Sequence, residues 1–122
     1  MRRIGIGIVV VVLAIAELLL AATPATAVTW ELGAAADQGL VCQYFDRDSI
    51  QWSGTQVTVK SYYMDERSAP QRIDYLTAYN CATNQFQDIE INGQPTGSDW
   101  QPLVADPLNE AIRDLLCPAM PL

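Results

Sequence analysis

Three cysteines, no histidine and a few clusters of carboxylates bound the chemistry open to this 122-residue chain. Without histidine there is no Ser-His-Asp triad and no Cys-His dyad, and most zinc sites are removed. In "DRDS", Asp46 and Asp48 could offer two oxygens to a hard cation. No further oxygen ligands follow at calcium-loop spacing, which favours a charged turn. Asp65 and Glu66 could supply part of a glycosidase carboxylate pair. Their setting in "DERSAPQR" argues instead for a solvated loop. No nucleophile–base pair can be assembled, so the expectation is a non-enzyme with no cofactor and no metal. Cys42, Cys81 and Cys117 allow one internal bridge and leave one thiol, either buried or free to react or link chains.

Recognition is the chemistry that remains. Tyr62, Tyr63, Tyr75 and Tyr79 recur across two segments, and tyrosine is favoured at interfaces. Core packing on one face competes with that use. Tyr62 is the best candidate for exposure, because it is out of phase with Val57 and Val59. With Asp65, Glu66, Arg67 and Arg72 of the charged segment that follows, it forms the candidate binding surface.

The elements that must position these residues read as strands. A short first strand is expected over 28–33 around Trp30, a loop over 34–39 ("AAADQG"), and a second strand over 40–45. The turn "DRDS" leads into "SIQWSGTQVTVKSYYM", a hairpin around Ser53 and Gly54. Its return strand sets Val57, Val59 and Tyr63 on one face and Thr58, Lys60, Tyr62 and Met64 on the other, as a half-buried antiparallel sheet requires. Residues 65–72 form an exposed connection. Ile73, Tyr75, Thr77, Tyr79 and Cys81 then share a strand face. A strand over 85–91 follows, with Ile89 and Ile91 in phase, then the turn pair Asn92 and Gly93 and a loop holding Trp100.

The period changes at the end. In "DPLNEAIRDLLCP", Leu108, Ala111, Ile112, Leu115 and Leu116 make one helical stripe. Asp106 suits the N-cap, Pro107 the first position, and Pro118 the stop. Such a helix must lie across the apolar face of the sheet. The fold class is therefore α+β, an antiparallel sheet with one C-terminal helix packed on one face. Cys81 ends a strand on that face and Cys117 ends the helix, so a bridge between them would fasten the two layers. Cys117 sits off the centre of the stripe, and Cys42 is the competing partner.

The N-terminus sets the compartment. Arg2 and Arg3 precede an apolar run that Glu17 interrupts, and "ATA" at 25–27 matches a small-residue cleavage site. Residues 1–27 read as a secretory signal, with an uncleaved anchor as the rival, and 28–122 as a single domain. Subtracting Arg2, Arg3 and Glu17 from 7 basic and 14 acidic residues leaves 5 and 13, a net charge of about −8. Such a balance repels nucleic acid and anionic membrane surfaces. After cleavage about 95 residues remain, with no membrane span and few means of covering their strand edges. A homodimer through an edge or through Cys42 is the assembly expected.

The segments "YFDRDSIQWSGTQVTVKSYY", "YNC" and "DWQPLVADPLNEAIRDLLC" resemble, in order and content, the surface-adhesin protein E family of small exported proteins of Gram-negative bacteria. The resemblance covers residues 44–117. It implies an antiparallel sheet with a C-terminal helix, and a disulfide between the two late cysteines, here Cys81 and Cys117. It also implies a binding module, with adhesion to host extracellular proteins as the role linked to members. The alternative is a periplasmic structural or accessory protein without a host ligand. The chain departs from the family at two points. No cysteine for lipid attachment lies beside the apolar run, which leaves the periplasm as well as the cell surface open, and Cys42 falls outside the matched pattern.

Overall fold

The computed structural model describes residues 27–119. The signal reading at 1–27 falls outside that range save for Ala27. Among the described residues no helix is long and apolar enough to cross a membrane. The fold is one antiparallel sheet of eight strands with a C-terminal helix against it.

The centre is a long hairpin. β4 (Gln56–Asp65) pairs with β5 (Gln71–Asn80) from Gln56↔Asn80 to Asp65↔Gln71. The connection between them is residues 66–70, shorter than expected, because the pairing takes in Asp65, Gln71 and Arg72. On its other side β4 meets two strands end to end. β2 (Val41–Asp46) runs beside its second half and β3 (Gln51–Ser53) beside its first. Between them the 3-10 turn Arg47–Ser49 leaves Lys60 without a strand partner on this side of β4. Ser49 Oγ accepts the Lys60 N–H at 2.8 Å in its place, because a backbone donor needs a partner wherever the ladder breaks. Asp46 caps the same turn by accepting the Asp48 N–H, so the acidic cluster is built as a turn.

β1 (Trp30–Ala36) lies along the outer side of β2. It corrects the expected boundaries: Ala34, Ala35 and Ala36 are strand rather than loop, opposite Gln43, Cys42 and Val41. Alanine's weak strand preference is overridden by that pairing. β6 (Gln85–Ile91) flanks β5 on the far side. A bulge between them sets Asp88 opposite Thr77 and Glu90 opposite Leu76, skipping Ile89, so the expected regular phase is broken. The expected loop beyond β6 also contributes strand. β7 (Gln94–Pro95) and β8 (Gln101–Pro102) pair with its two ends. The β6–β7 turn is Asn92-Gly93, both at positive φ (52° and 77°), the conformation that selects this pair in a two-residue hairpin.

The helix α1 (Pro107–Leu116) starts as expected, with Asp106 accepting the Asn109 N–H and proline in the first turn. It packs on β1 and β2. Its buried stripe is narrower than expected: Ile112 and Leu116 are buried, but Leu115 is 52% exposed. The helix rests toward one edge of the sheet, which covers only one of its sides. Phe45, Val57, Val59, Tyr79, Leu103, Ile112 and Leu116 form the core, with Ile50, Trp52, Cys81 and Phe86 packed against it. Gly33 permits the close approach of α1, since a Cβ there would overlap Ile112 Cδ1 and lie 3.2 Å from Phe45 Cδ1.

Cys81 and Cys117 form the disulfide, with Cα atoms 5.5 Å apart. The bridge closes a 36-residue separation, worth about 3–4 kcal/mol in the chain-entropy account. The Tyr79 hydroxyl donates to Asn109 Oδ1, a second tie between β5 and the helix. Cys42 is free and half-buried, its thiol donating to the Gly39 carbonyl.

Candidate functional site

The pleat of β4 sends alternate residues to opposite sides. Val57, Val59 and Ser61 are buried on the helix side. Thr58, Lys60 and Tyr62 face the side that α1 does not cover. On this open side Tyr44 pairs with Tyr62, and Tyr62 with Asp74. The Tyr44 and Tyr62 rings stack, with centroids 4.8 Å apart and planes 21° apart. Trp30 reaches over from β1 and meets Tyr62 edge-on, also at 4.8 Å. The Arg72 guanidinium lies 3.9 Å from the Tyr62 centroid and 5.5 Å from that of Trp30.

Arg72 is also held from below. Its Nε and Nη2 both donate to Asp74 Oδ1, at 3.1 and 2.9 Å. That fork fixes the plane of the guanidinium over the ring, so little rotamer freedom is left to lose when a partner binds. Beside the cluster a groove of about 330 Å³ runs past Lys60, Asp74, Leu76 and Glu90. Leu32, 56% exposed, extends the apolar rim. Cys42 lies two residues from Tyr44 on the same strand and, ahead of desolvation, pushes its phenol up.

The predicted surface divides in two. Tyr62 and Arg72 come together in this cluster. Asp65, Glu66 and Arg67 lie apart from it, at the tip of the β4–β5 hairpin. There Arg67 pairs with Asp65 and with Asp37, each at 2.8 Å. Hydrogen bonds from the Arg67 side chain and backbone hold the Asp65 carboxyl well below the usual range, and Asp65 in turn holds Arg67 up. The Glu66 N–H donates to the Leu40 carbonyl at 2.8 Å. The tip is thus tied to residues 37–40, with Arg67 as the cation shared by Asp37 and Asp65.

Of the other tyrosines, Tyr79 is in the core, where burial pushes its phenol far above the usual range. Tyr63 and Tyr75 line a separate cleft beside the helix. Sequence reasoning passed over Trp30 and Tyr44 as recognition residues. The strand alternation held a signal for both, but only the register of β1, β2 and β4 shows that they meet Tyr62. The cluster offers flat apolar surface with one oriented cation, which suits binding. Among the described residues no group of three or more acidic or cysteine side chains is placed to hold a metal ion.

No family model, curated protein or solved structure matches the chain. The likeness to surface-adhesin protein E therefore rests on the motifs quoted above.

Proposed function

We propose that the chain is an exported binding module that captures a protein partner on the open face of its sheet. The observation that carries this reading is the Arg72–Tyr62–Trp30 stack, with Tyr44 beneath it. Tryptophan, tyrosine and arginine dominate the energetic centres of protein interfaces, where rigid rings exclude water around a fixed charge. These residues lie outside the core that the helix completes, so stability alone does not account for their grouping. Export comes from the N-terminal sequence. The partner's class, a host extracellular protein, comes from the resemblance to surface-adhesin protein E. The acidic balance of the chain favours a partner with basic surface.

Two measurements test this reading. Purified wild type and the double variant Tyr62→Ala/Arg72→Ala are titrated against immobilised host matrix proteins and against an envelope extract. Loss of binding in a folded variant supports the assignment; binding that survives the double substitution sinks it. Protease treatment of intact cells then locates the partner. Cleavage at the cell surface favours adhesion. A pool protected until the outer envelope is opened favours the accessory role, with an envelope protein on the same face.

A further inference from the structure

On the other side of the sheet, beside the first turn of α1, lies a cleft of about 260 Å³. Ser61 and Thr77 are buried at its base. Both are already engaged: Gln43 Nε2 donates to Ser61 Oγ at 3.0 Å, and Thr77 Oγ1 donates to Asp88 Oδ1 at 3.0 Å. Tyr63, Tyr75 and Phe86 supply aromatic wall, and Asp106 closes the helix side. None of the ten lining residues is basic.

Asp88 is the anomaly of this cleft. It is half-buried, and the Thr77 hydroxyl that meets its Oδ1 carries no charge. Burial pushes its carboxyl up, and the nearby Asp106 adds to this. Asp106 has a role of its own, since it caps α1 and offsets the positive end of the helix. Asp88 has no such counterpart. A carboxylate drawn partly out of water is costly unless a cation or several donors meet it. Among the described residues the Tyr75 hydroxyl, near Asp88 and Asp106, is engaged by no side-chain hydrogen bond.

We propose that this cleft binds a small organic ammonium ion, seated against Asp88 and the rings of Tyr63, Tyr75 and Phe86. A carboxylate beside aromatic faces is the combination that holds an alkylated ammonium, because the ring quadrupole attracts the cation without strong competition from its hydration. The cleft is smaller than the roughly 300 Å³ at which pockets for drug-sized ligands begin, so the ligand is short. A bare divalent ion fits poorly, since only two carboxylates line the site and hard cations ask for more oxygens. The site is independent of the open-face cluster and lies on the opposite side of the sheet.

The test uses choline, putrescine and the tert-butyl analogue of choline, in which carbon replaces the charged nitrogen. Each is titrated into the intact exported protein by calorimetry and followed by amide shifts of Thr77 and Asp88. Saturable binding of choline or putrescine is expected, with the neutral analogue at least about tenfold weaker. Asp88→Asn keeps an acceptor for Thr77 and should weaken the cation by at least about tenfold. Tyr75→Leu removes a wall of the cage without touching the carboxylate and should also weaken it. Equal binding of the neutral analogue overturns the proposal. So does the absence of saturable binding by either cation, or undiminished affinity in a folded Asp88→Asn protein.

Discussion

The two faces of this sheet are made from the same strands and held in different ways. On the helix side, Val57, Val59 and Tyr79 reach 2% exposure or less beneath Leu103 and Ile112. That side is fixed by removal of apolar area from water and by a covalent link. On the open side, Trp30, Tyr44 and Tyr62 are held by one another and by a guanidinium that is itself held by Asp74. Nothing among the described residues covers them. One face is organised by a second layer, while the other is organised by short-range stacking and stays available. The stability of the domain should therefore depend on the first far more than on the second.

The bridge between layers gives the largest expected effect. Cys117→Ser should lower unfolding stability by about 2–5 kcal/mol, read from denaturant midpoints under oxidising conditions. Cys42→Ser should cost much less, because that thiol makes a local hydrogen bond to Gly39 but no cross-link. Similar losses in both variants would remove the disulfide from its central place. Next is the seat of the helix. Gly33→Ala forces Ile112 or Phe45 aside, and overpacking of this kind costs about 1–3 kcal/mol. A variant as stable as wild type would mean that α1 shifts freely over β1.

How legible the two faces were follows from which contacts set them. The β4 alternation, the cap and proline of α1, and the cysteines at the ends of β5 and α1 are local patterns, so the covered layer could be read from them. The strand at Ala34, Ala35 and Ala36 could not, because it exists only through pairing with β2. The same holds for β7 and β8, two residues each, which take their form from the ends of β6. Trp30 and Tyr44 each lie on an expected strand, but their meeting with Tyr62 depends on the register of three strands. Asp88 looks like an ordinary polar position in "QFQDIEI". Its half-buried place comes from the β5–β6 bulge and the start of the helix, which no local pattern shows.

Asp88 in the cleft and Asp65 at the hairpin tip respond to pH in opposite ways. Burial first, and Asp106 second, push its carboxyl above the usual range. The folded state then holds this proton more readily than the unfolded chain. The stability that Asp88 contributes is present in acid and is lost as pH rises through the folded value. Relative to Asp88→Asn, wild type should be favoured at low pH and lose ground toward neutrality. Asp65 has the opposite sign. Arg67 holds its carboxyl low, so its contribution is present at neutral pH and lost in acid as pH falls through the folded value. Denaturant midpoints of the two single Asn variants across acid and neutral pH should therefore move in opposite directions against wild type. Parallel slopes would show that the cleft does not hold Asp88 in the environment described.

The smallest expected change in stability is on the open face, and it sets the limit of the comparison. Arg72 stacks on Tyr62 and pairs with Asp74, but side chains of the pair are 43% and 50% exposed. A cation over an exposed ring contributes about 0.5–1 kcal/mol, and a solvated ion pair about 0–1. Arg72→Ala should therefore move the unfolding midpoint little. It should still remove the fixed charge on which the proposed recognition depends. Arg72→Lys keeps the charge but loses the planar fork that lies flat over the ring, so it should leave stability in place and restore little binding. A loss above about 2 kcal/mol for Arg72→Ala would exceed what an exposed stack can supply. It would mean that the open face helps hold the fold together, and the contrast between a structural face and a binding face would fail.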